Sequence, residues 1–543
     1  MMPRIRFYFS FSLIFIATAI CAIFYHKGLW SLIITLPLFF LGIYDILQKQ
    51  SNILRNYPLW GHFRYMLFAI RPQIQAYFIE TNQSGRPFDR EQMLLVQQRA
   101  TGTDDYLPFG TQLDVDAPGY EWINHSMSPK KPKMEATRIM IGGPQCTQPH
   151  DASRLNISSM SFGAISPEAI RALNRGAKLG NFLQSTGEGG LSKYHLMEGG
   201  DLTWQIGTGF FGCRTSDGKF NADVFKKKAQ HPNVKMIEIK ISQGAKPSHG
   251  AILPGEKVSA EIAEARDVPI GQDCLSPATY SNFNTPIGLL EFVQQLRELS
   301  GGKPVGFKLC IGLPTEFMSI VKAMLKTGIY PDFITIDGSE GGTGAAPVEF
   351  SDYVGYPLNE GLVFAHNCLV GANLRQHIRL IASGKIITGF DMLCKIALGA
   401  DLINMARGMM FAIGCVQSRR CHTNKCPTGI TTQDPKRRYA LNIDEKAPQV
   451  ARFHDASLKN FLSVLGAAGL EKPEDISPQH IHRWRNMTMA ETYAEIFHYL
   501  KPGDLVNGIA PLKYRNLWDI ADSEYFAAPK GRNADSPFSA WTN

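Results

Sequence analysis

Two long uncharged runs stand at the N-terminal end of the chain. Phe7–Tyr25 contains no Asp, Glu, Lys or Arg over nineteen residues, and Gly28–Tyr44 is a second uncharged run. Only His26 and Lys27 separate the two runs. A helix of about 20 apolar residues crosses a bilayer core of about 30 Å. The pattern therefore predicts a two-helix transmembrane hairpin within residues 1–50.

A cleaved signal peptide is the alternative interpretation of the first run. Such a peptide requires a small-residue cleavage site followed by a polar mature segment. Here the chain becomes apolar again directly after the turn, which favours the hairpin. Because basic residues mark the cytoplasmic side, we expect a protein of the inner (cytoplasmic) membrane whose remaining part, after the hairpin, faces the cytoplasm. The flanking basic residues are Arg4, Arg6, Lys49, Arg55, Arg64 and Arg71.

From about residue 151, short apolar segments alternate with longer amphipathic segments, which is typical of parallel βαβ units. The predicted strands are Asn156–Phe162, Phe182–Ser185, Met236–Ile241, Pro304–Cys310, Phe333–Asp337, Ile378–Ala382 and Leu402–Ala406. The predicted helices include one that begins at Ser166-Pro167-Glu168, Thr315–Lys326 and Phe390–Leu398. Seven or eight units of this length favour an α/β fold of the (β/α)8 TIM barrel type over an open sheet.

The predicted organisation has four parts. A transmembrane hairpin at 1–50 and an N-terminal connector at 51–150 precede the barrel at 151–470, and a helical C-terminal extension occupies 471–543. In such a barrel, the chemistry lies on the loops that follow the strands.

Those loops are rich in glycine. They include residues 185–190, 243–247, 337–344, 383–384 and 407–408. One glycine after a strand is usually only a turn, but glycine also lets backbone N–H groups approach an anion closely. Several such loops on one barrel face predict a phosphate-bearing ligand. None of them matches the Walker A pattern, which disfavours kinase or ATPase chemistry.

Composition narrows the class of protein further. With 44% hydrophobic and 19% charged residues over 543 positions, the chain is not a disordered one. The net charge of +8 is spread thinly, without a basic block suited to nucleic acid. Of the ten cysteines, seven are scattered singly through apolar stretches. This distribution is unlike a secreted disulfide framework and indicates a reducing compartment.

Lys308 lies inside the apolar predicted strand Pro304–Cys310. A buried ammonium is costly unless it meets an anion. One interpretation is a lysine that extends outward to solvent. The other places Lys308 inside the barrel, against a cofactor that becomes negative, as a reduced flavin does.

The remaining three cysteines form the sharpest local motif. Cys415, Cys421 and Cys426 follow the spacing C-x5-C-x4-C, with a proline after the last. Three thiols so close together suggest soft ligands of a metal cluster. Zinc normally needs a fourth ligand, which His422 could supply only with awkward geometry beside Cys421. Ordinary buried thiols are the third alternative.

With these residues in view, the chain resembles the FMN-binding synthase domain of glutamate synthases from about Leu155 to Leu470. The matching stretches are ISSMSFGAISPEAI, STGEGG, KISQGAKPSHGAILPGEKV, GFKL, GSEGGTGAAP, ALGADLINMARG, CHTNKCPTGITTQDP and RFHDASLKNFLSVLGAAG. The resemblance implies a TIM barrel with FMN at its mouth and a [3Fe-4S] cluster. It also implies that Cys415, Cys421 and Cys426 hold that cluster.

The resemblance further implies roles for individual residues. The expected catalytic residues are Lys308, beside N1 of the flavin, Glu188, near the site of imine reduction, and Lys246 in the substrate pocket. The expected FMN-binding residues are Met160, Ser161, Thr186, Gln243, Lys308, Gly341, Gly342, Thr343, Gly384 and Gly408. Of the latter, Gly341, Gly342, Thr343, Gly384 and Gly408 are expected around the phosphate.

Some features of full-length glutamate synthases are missing from the sequence. There is no glutaminase domain with a free N-terminal cysteine, no C-terminal β-helix domain and no GxGxxG motif after a predicted strand. Lys385 follows Gly384 where a phosphate-binding arginine would be expected. Ammonia and electrons would then come from outside the chain, the electrons from a ferredoxin or an NAD(P)H-oxidising subunit.

These inferences predict a membrane-anchored oxidoreductase of the glutamate synthase type. It would convert 2-oxoglutarate and ammonia, through 2-iminoglutarate, to L-glutamate, with electrons relayed by the cluster to FMN. One alternative is an FMN and iron–sulfur oxidoreductase that acts on another amino or keto acid or on a membrane electron carrier. Another is a catalytically silent membrane scaffold.

Overall fold

The structure is a computed structural model that describes residues 3–250 and 252–526. Residues 527–543 of the predicted C-terminal extension lie outside the described residues, as do the side chains of Arg4, His26 and Lys27. The chain forms two compact units, Met1–Arg90 and Glu91–Asn543.

The first unit contains the two predicted apolar helices. Its α-helices are α1 (Pro3–Phe24), α2 (Leu32–Leu47), α3 (Asn52–Asn56) and α4 (Trp60–Ile74), with a 3₁₀ turn at His26–Ser31 and a π turn at Gln75–Ile79. The stretches Ile5–Phe24 and Leu29–Leu47 have mean hydropathies of 2.2 and 1.9, so by length and composition each could cross a membrane.

Aromatic contacts hold α1 against α2. The ring of Phe7 lies parallel to that of Phe39, with 6.1 Å between centroids, and Phe11 lies 5.5 Å from Phe39. A Cβ at Gly42 would come within 2.2 Å of the Phe7 ring, so glycine makes room for this ring. The helices therefore pair as the predicted hairpin requires.

Eight parallel strands of the second unit close into a barrel in the order β4-β5-β6-β7-β10-β11-β12-β13, with Ile403 of the last strand opposite Leu155 of the first. This confirms the (β/α)8 fold. The described strands are β1 (Glu121–Ile123), β2 (Arg138–Ile141), β3 (His150–Ser153), β4 (Leu155–Ile157), β5 (Gln184–Ser185), β6 (Leu202–Ile206), β7 (Val234–Lys240), β8 (Ile252–Leu253), β9 (Cys274–Leu275), β10 (Val305–Leu309), β11 (Phe333–Asp337), β12 (Arg379–Ser383), β13 (Leu402–Met405), β14 (Ile481–Asn486) and β15 (Met489–Thr492).

A GxGxxG motif at Gly207–Gly212 directly follows a barrel strand, β6, so the expectation that no such motif follows a strand was wrong; no helix begins there, so the motif does not open a dinucleotide-binding βαβ unit. Sequence reasoning missed β6 itself. Its apolar residues alternate with Thr203 and Gln205, which weakens the continuous apolar signal of a buried parallel strand. The Gln205 amide is instead satisfied inside the barrel, where Nε2 donates to Glu238 Oε2 at 2.6 Å. Thr335 Oγ1 donates to the other oxygen of Glu238 at 2.7 Å, which completes a polar network in the barrel interior.

Helices surround the barrel. Those of the second unit are α5 (Arg90–Thr101), α6 (Pro167–Gly180), α7 (Lys193–Met197), α8 (Ala222–Ala229), α9 (Ala260–Arg266), α10 (Pro286–Leu299), α11 (Pro314–Thr327), α12 (Val348–Tyr353), α13 (Leu358–Gly371), α14 (Gly389–Ala397), α15 (Arg407–Ala412), α16 (Pro435–Arg438), α17 (Ile443–Ala467), α18 (Tyr493–Ile496) and α19 (Leu512–Ile520). Helix α6 begins as predicted, because the Ser166 hydroxyl accepts the N–H of Ala169 and Pro167 occupies the first turn.

The β2–β3 hairpin closes the N-terminal end of the barrel. Its Ile139, Ile141 and Ala152 share one apolar cluster with residues from early positions of the barrel strands, among them Met236 and Phe333. The opposite end, where the strands finish, carries the loops that hold the predicted site. Beyond α17, strands β14 and β15 form a three-stranded sheet with β1.

Candidate active site

Lys308 occupies the mouth of the barrel. On β10 it is paired in register with Thr335 of β11, whose side chain bonds within the barrel, so Lys308 shares that inner face. Its Nζ lies 3.3 Å from Asp337 Oδ2, and only 8% of each side chain is exposed. Lys308 therefore lies inside the barrel and does not extend outward to solvent.

The loop after β7 meets the end of β11 beside this ion pair. The N–H of Gly244 donates to Asp337 Oδ2 at 2.8 Å. A Cβ on Gly244 would lie 1.6 Å from the carbonyl oxygen of Gly338, so only glycine permits this approach. Asp337 thus connects Lys308 to the loop that carries Gln243 and Lys246.

A second ion pair joins Glu188 to Lys240, with 2.5 Å between Oε1 and Nζ. Burial alone would raise the pKa of the Glu188 carboxyl, but the charge and the hydrogen bond of Lys240 outweigh burial, and its pKa lies below the ordinary value. Glu188 is therefore an ionised group, not a proton donor, near neutral pH. Lys240 was not predicted, although it ends an apolar strand much as Lys308 does.

Lys246 lies within electrostatic reach of this pair. Its side chain is 5% exposed. Burial lowers the pKa of the Lys246 ammonium, Lys240 lowers it further, and Glu188 opposes the change. A lysine with a lowered pKa can give up its proton more easily than a solvated one, which suits proton transfer.

Met160, Ser161 and Thr186 line the loops that follow β4 and β5. These loops touch, because a Cβ on Gly187 would lie 2.6 Å from the Ser161 nitrogen. The Thr186 hydroxyl is engaged within the protein, donating to the Gly187 carbonyl at 2.9 Å and accepting the Gln205 N–H at 3.1 Å. Thr186 thus shapes its loop.

Gln243 has a buried amide nitrogen at the mouth of the barrel. Its Nε2 has no hydrogen-bond partner within the described part of the chain. A buried donor of this kind calls for a ligand acceptor or an ordered water. A flavin ring, which carries carbonyl oxygens and ring nitrogens, has the acceptors that this amide needs.

The predicted phosphate-binding loops also converge. Gly384, with φ +144°, would place a Cβ 3.5 Å from the Gly338 nitrogen, so the loops after β11 and β12 are adjacent. A Cβ on Gly342 would lie 2.9 Å from Arg407 Nε, and a Cβ on Gly408 would lie 2.2 Å from Met405 Sδ. Gly341 and Thr343 belong to the same loop as Gly342, in which the Thr343 side chain is exposed.

Arg407 is a further candidate for the phosphate. Its Nη2 donates to the Glu340 carbonyl at 2.7 Å, beneath the glycine loop after β11. Burial lowers the pKa of the Arg407 guanidinium, and the nearby Asp337 and Glu340 carboxylates oppose the change. The sequence feature that could have identified Arg407 is its position next to Gly408. Arg407 is half-buried beside this loop, whereas Lys385 is exposed.

The three clustered cysteines lie on one loop between α15 and α16. Burial raises the pKa of the Cys415 thiol to about 12, and the other two thiols add to the increase, so the three groups are close enough to interact electrostatically. For Cys426, hydrogen bonds with Thr428 and Thr431 outweigh burial, and its pKa is lowered. Within the described residues, no group of three His, Cys, Asp and Glu side chains is arranged as a ready metal site.

A buried lysine stands beside this loop. Lys257 Nζ donates to the Cys421 carbonyl at 2.8 Å and to the Thr431 carbonyl at 3.0 Å, and the side chain is almost fully buried. A positive charge here offsets the negative charge of thiolate ligands. The donor set of three soft thiols beside a fixed cation therefore fits an iron–sulfur cluster in its chemistry.

Known proteins are similar to this chain over most of its length. Residues 130–471 match the conserved region of glutamate synthase. The glutamate synthase large subunit-like protein YerD of Bacillus subtilis is 37% identical over 493 residues, which are 83% of this chain and 93% of that protein. The archaeal-type glutamate synthase (NADPH) of Thermotoga neapolitana is 35% identical over 321 residues, 59% of this chain and 60% of that protein.

Among solved structures, a mandelate oxidase mutant with the monooxide FMN adduct aligns with a TM-score of 0.39 and 15% identity. The alignment covers 78% of this chain and 99% of that one. Similarity at this level carries no argument about function.

Proposed function

Because the chain belongs to the glutamate synthase family, we propose that it makes L-glutamate by reductive amination of 2-oxoglutarate. Family membership makes it an oxidoreductase of the class that acts on CH–NH2 donors. In the proposed reaction, 2-oxoglutarate condenses with ammonia to 2-iminoglutarate, whose imine carbon is then reduced. FMN is the cofactor that the family supports, and when bound it supplies hydride chemistry.

The observation that carries the proposal is the buried Lys308 on the inner face of the barrel mouth, 3.3 Å from Asp337. Its ammonium would stabilise negative charge that develops on the flavin ring during reduction. The Gln243 amide nitrogen, which has no hydrogen-bond partner among the described residues, would orient the same ring. Arg407 and the glycine loops at Gly341, Gly384 and Gly408 would hold the phosphate.

Lys240, Lys246 and Glu188 would act on the substrate. Two ammonium groups at the mouth attract a dicarboxylate and orient it. Glu188 keeps Lys240 in place through its ion pair. Lys246 would hold, on its Nζ, the proton that the substrate nitrogen accepts. The pKa of this ammonium is lowered.

Electrons would come from an external donor, a ferredoxin or an NAD(P)H-oxidising subunit. Cys415, Cys421 and Cys426 would hold a [3Fe-4S] cluster, which supplies one-electron transfer. Lys257, fixed on two carbonyl oxygens of this loop, would offset the charge of the thiolates.

We place the protein in the inner membrane through α1 and α2, with its catalytic unit on the cytoplasmic side. The support is the length and apolarity of Ile5–Phe24 and Leu29–Leu47 and the basic residues that flank them. This arrangement is compatible with a soluble electron donor and with a membrane-bound one.

The test is an anaerobic purification in mild detergent, with flavin and iron measured on one sample. The assay then contains 2-oxoglutarate, ammonium and a chemically reduced viologen, without glutamine. We expect bound FMN and formation of L-glutamate that depends on ammonium. The test variant is Lys308→Met. Its matched control is Lys326→Met, which replaces a surface lysine that pairs with Glu524.

Other outcomes would count against parts of the proposal. Flavin reduction without L-glutamate, but with turnover of another keto acid or of a quinone, would favour the alternative oxidoreductase. A protein without flavin that cannot be reconstituted would contradict the proposed reaction.

A further inference from the structure

Helix α4 has an apolar face that no described residue of the first unit covers. Phe63, Met66, Leu67 and Ile70 lie on one side of the helix, at the spacing of an amphipathic face. Their side chains are 54%, 49%, 42% and 41% exposed, respectively. Exposed large apolar side chains in such a row mark a surface that contacts a partner or a lipid phase.

The other side of α4 contacts the base of the hairpin. His62 Nε2 lies 2.9 Å from both oxygens of Asp45, and the N–H of Leu59 donates to the same carboxylate at 2.9 Å. The Asp45 side chain is fully buried. A Cβ on Gly61 would lie 2.7 Å from Leu54 Cδ2, so glycine allows this close contact.

These contacts determine where α4 begins. Asp45 stands at the last turn of α2, whose apolar stretch Leu29–Leu47 is the second candidate span. The first turn of α4 is therefore attached at the end of that span. Helix α4 continues directly into the π turn Gln75–Ile79, so the helical segment is about as long as a bilayer core is thick. The charged side chains of Arg64 and Arg71 lie within it, which makes it unsuited to cross the core as a third span.

Basic residues run along the edge of the apolar face. Arg64 and Arg71 are seven positions apart, so they share one line of the helix, and Arg64 lies 5.2 Å from the centre of the Phe68 ring. Trp60 and Tyr77, near the two ends of this segment, are 80% and 65% exposed. Aromatic rings at both ends and basic residues at the edge are typical of a helix at the surface of an anionic bilayer.

We propose that α4 lies in the membrane surface, with its Phe63, Met66, Leu67 and Ile70 face in the lipid and Arg64 and Arg71 on anionic headgroups. The inference rests on the proposed membrane hairpin and extends it. The hairpin alone leaves the protein free to turn about its axis. The surface helix removes this freedom and fixes the orientation of the N-terminal unit on the bilayer.

The test uses the full chain in phosphatidylcholine vesicles that contain phosphatidylglycerol. A photoreactive benzophenone amino acid is placed in separate samples at Ile70, at Tyr65, whose hydroxyl bonds to Ser51 Oγ on the other side of α4, and at Ile16 within the first span. We expect phospholipid adducts from Ile70 and Ile16, with at least fivefold less adduct from Tyr65. Intact mass identifies each adduct.

The outcomes separate this inference from the proposed anchor. Lipid adducts at Ile16 without any at Ile70 would overturn the surface helix and leave the hairpin. A crosslinked dimer from Ile70 in place of a lipid adduct would overturn it in favour of a second copy. No lipid adduct at either position would overturn both.

A charge test completes the experiment. Each basic residue near an anionic surface contributes about fivefold to binding, so Arg64→Gln with Arg71→Gln should lower the Ile70 adduct at least fivefold. The loss is expected with phosphatidylglycerol and not with phosphatidylcholine alone. Lys226→Gln with Lys227→Gln, which removes the same charge from the exposed side of α8, is the control. An equal loss in both lipids would contradict the role of the two arginines.

Discussion

Lys308 Nζ lies 3.3 Å from Asp337 Oδ2 at the barrel mouth, and both side chains are almost completely buried. The N–H of Gly244 also donates to that carboxylate oxygen. The lysine is thus held in one position before any ligand binds. Preorganised charge of this kind is what stabilises a developing anion in a buried site.

Replacing Lys308 with methionine is expected to lower kcat by about 10²–10³, because the charge opposite the reduced ring is lost. It should also destabilise the fold by about 3–5 kcal/mol, since Asp337 would remain buried without its ion partner. Turnover and urea unfolding measure the two effects.

The double variant Lys308→Met with Asp337→Asn separates them. Removing the unpaired carboxylate is expected to restore most of the stability and none of the activity. Recovery of activity in the double variant would show that Lys308 serves only to neutralise Asp337.

Replacing Arg407 with methionine should weaken FMN binding. A charge-assisted hydrogen bond contributes about 1.5–3 kcal/mol, so the dissociation constant is expected to rise by about 10- to 150-fold. Lys385→Met should change it by less than about threefold, because an exposed ion pair contributes little. Flavin fluorescence titration of the apoprotein measures both. A larger effect at Lys385 would assign the phosphate contact to that residue.

Cys421→Ser is expected to abolish bound iron while FMN remains, because a [3Fe-4S] cluster needs all three thiolates. Cys146→Ser is the control, since Cys146 is a free and partly exposed thiol outside the cluster loop. Iron analysis and the visible spectrum of anaerobic samples provide the measurement. Iron retained in the Cys421 variant would contradict the assigned ligands.

The pH profile should report on Lys246. Its pKa lies below the ordinary value of 10.5, so kcat/KM is expected to fall on the alkaline side before that pH. Glu188 opposes the lowering of the Lys246 pKa. Glu188→Gln should therefore move this alkaline limb, the decrease of kcat/KM at high pH, to still lower pH. Lys246→Arg should remove the limb, because arginine stays protonated. A limb unchanged in both variants would exclude Lys246 as the titrating group.

Two buried histidines should make the fold sensitive to acid. Burial lowers the pKa of His195 and of His454 to about 3. In the unfolded chain, each histidine takes up a proton below about pH 6.5. The free energy of unfolding therefore has its full value above that pH and falls as the pH decreases toward the folded pKa. At pH 5 the loss is about 2 kcal/mol per histidine.

Urea unfolding between pH 6.5 and 5 measures this loss. The double variant His195→Gln with His454→Gln should reduce the mean slope of stability against pH in this range by about 2 kcal/mol per unit, whatever its absolute stability. The same slope in the double variant would assign the acid sensitivity to other groups.

The sequence by itself determined the elements whose signals are local. Uninterrupted apolar residues predicted the helices α1 and α2, and seven of the eight barrel strands overlap predicted segments. The same holds for the start of α6, because an N-cap serine and a following proline act within one turn. The motifs also sufficed to predict the family, which the comparisons confirm.

Only the tertiary structure decided the partners within the site. Glu188 and Lys240, or Glu340 and Arg407, are far apart in the sequence and meet because barrel closure brings the loops of different strands to one mouth. β6 was not predicted for a related reason, since its Gln205 is tolerated in the interior because Glu238 of β7 and Ser159 both accept hydrogen bonds from its amide. The hydrogen-bond partner of a polar residue in a strand can be identified only once the strands are assembled into the sheet.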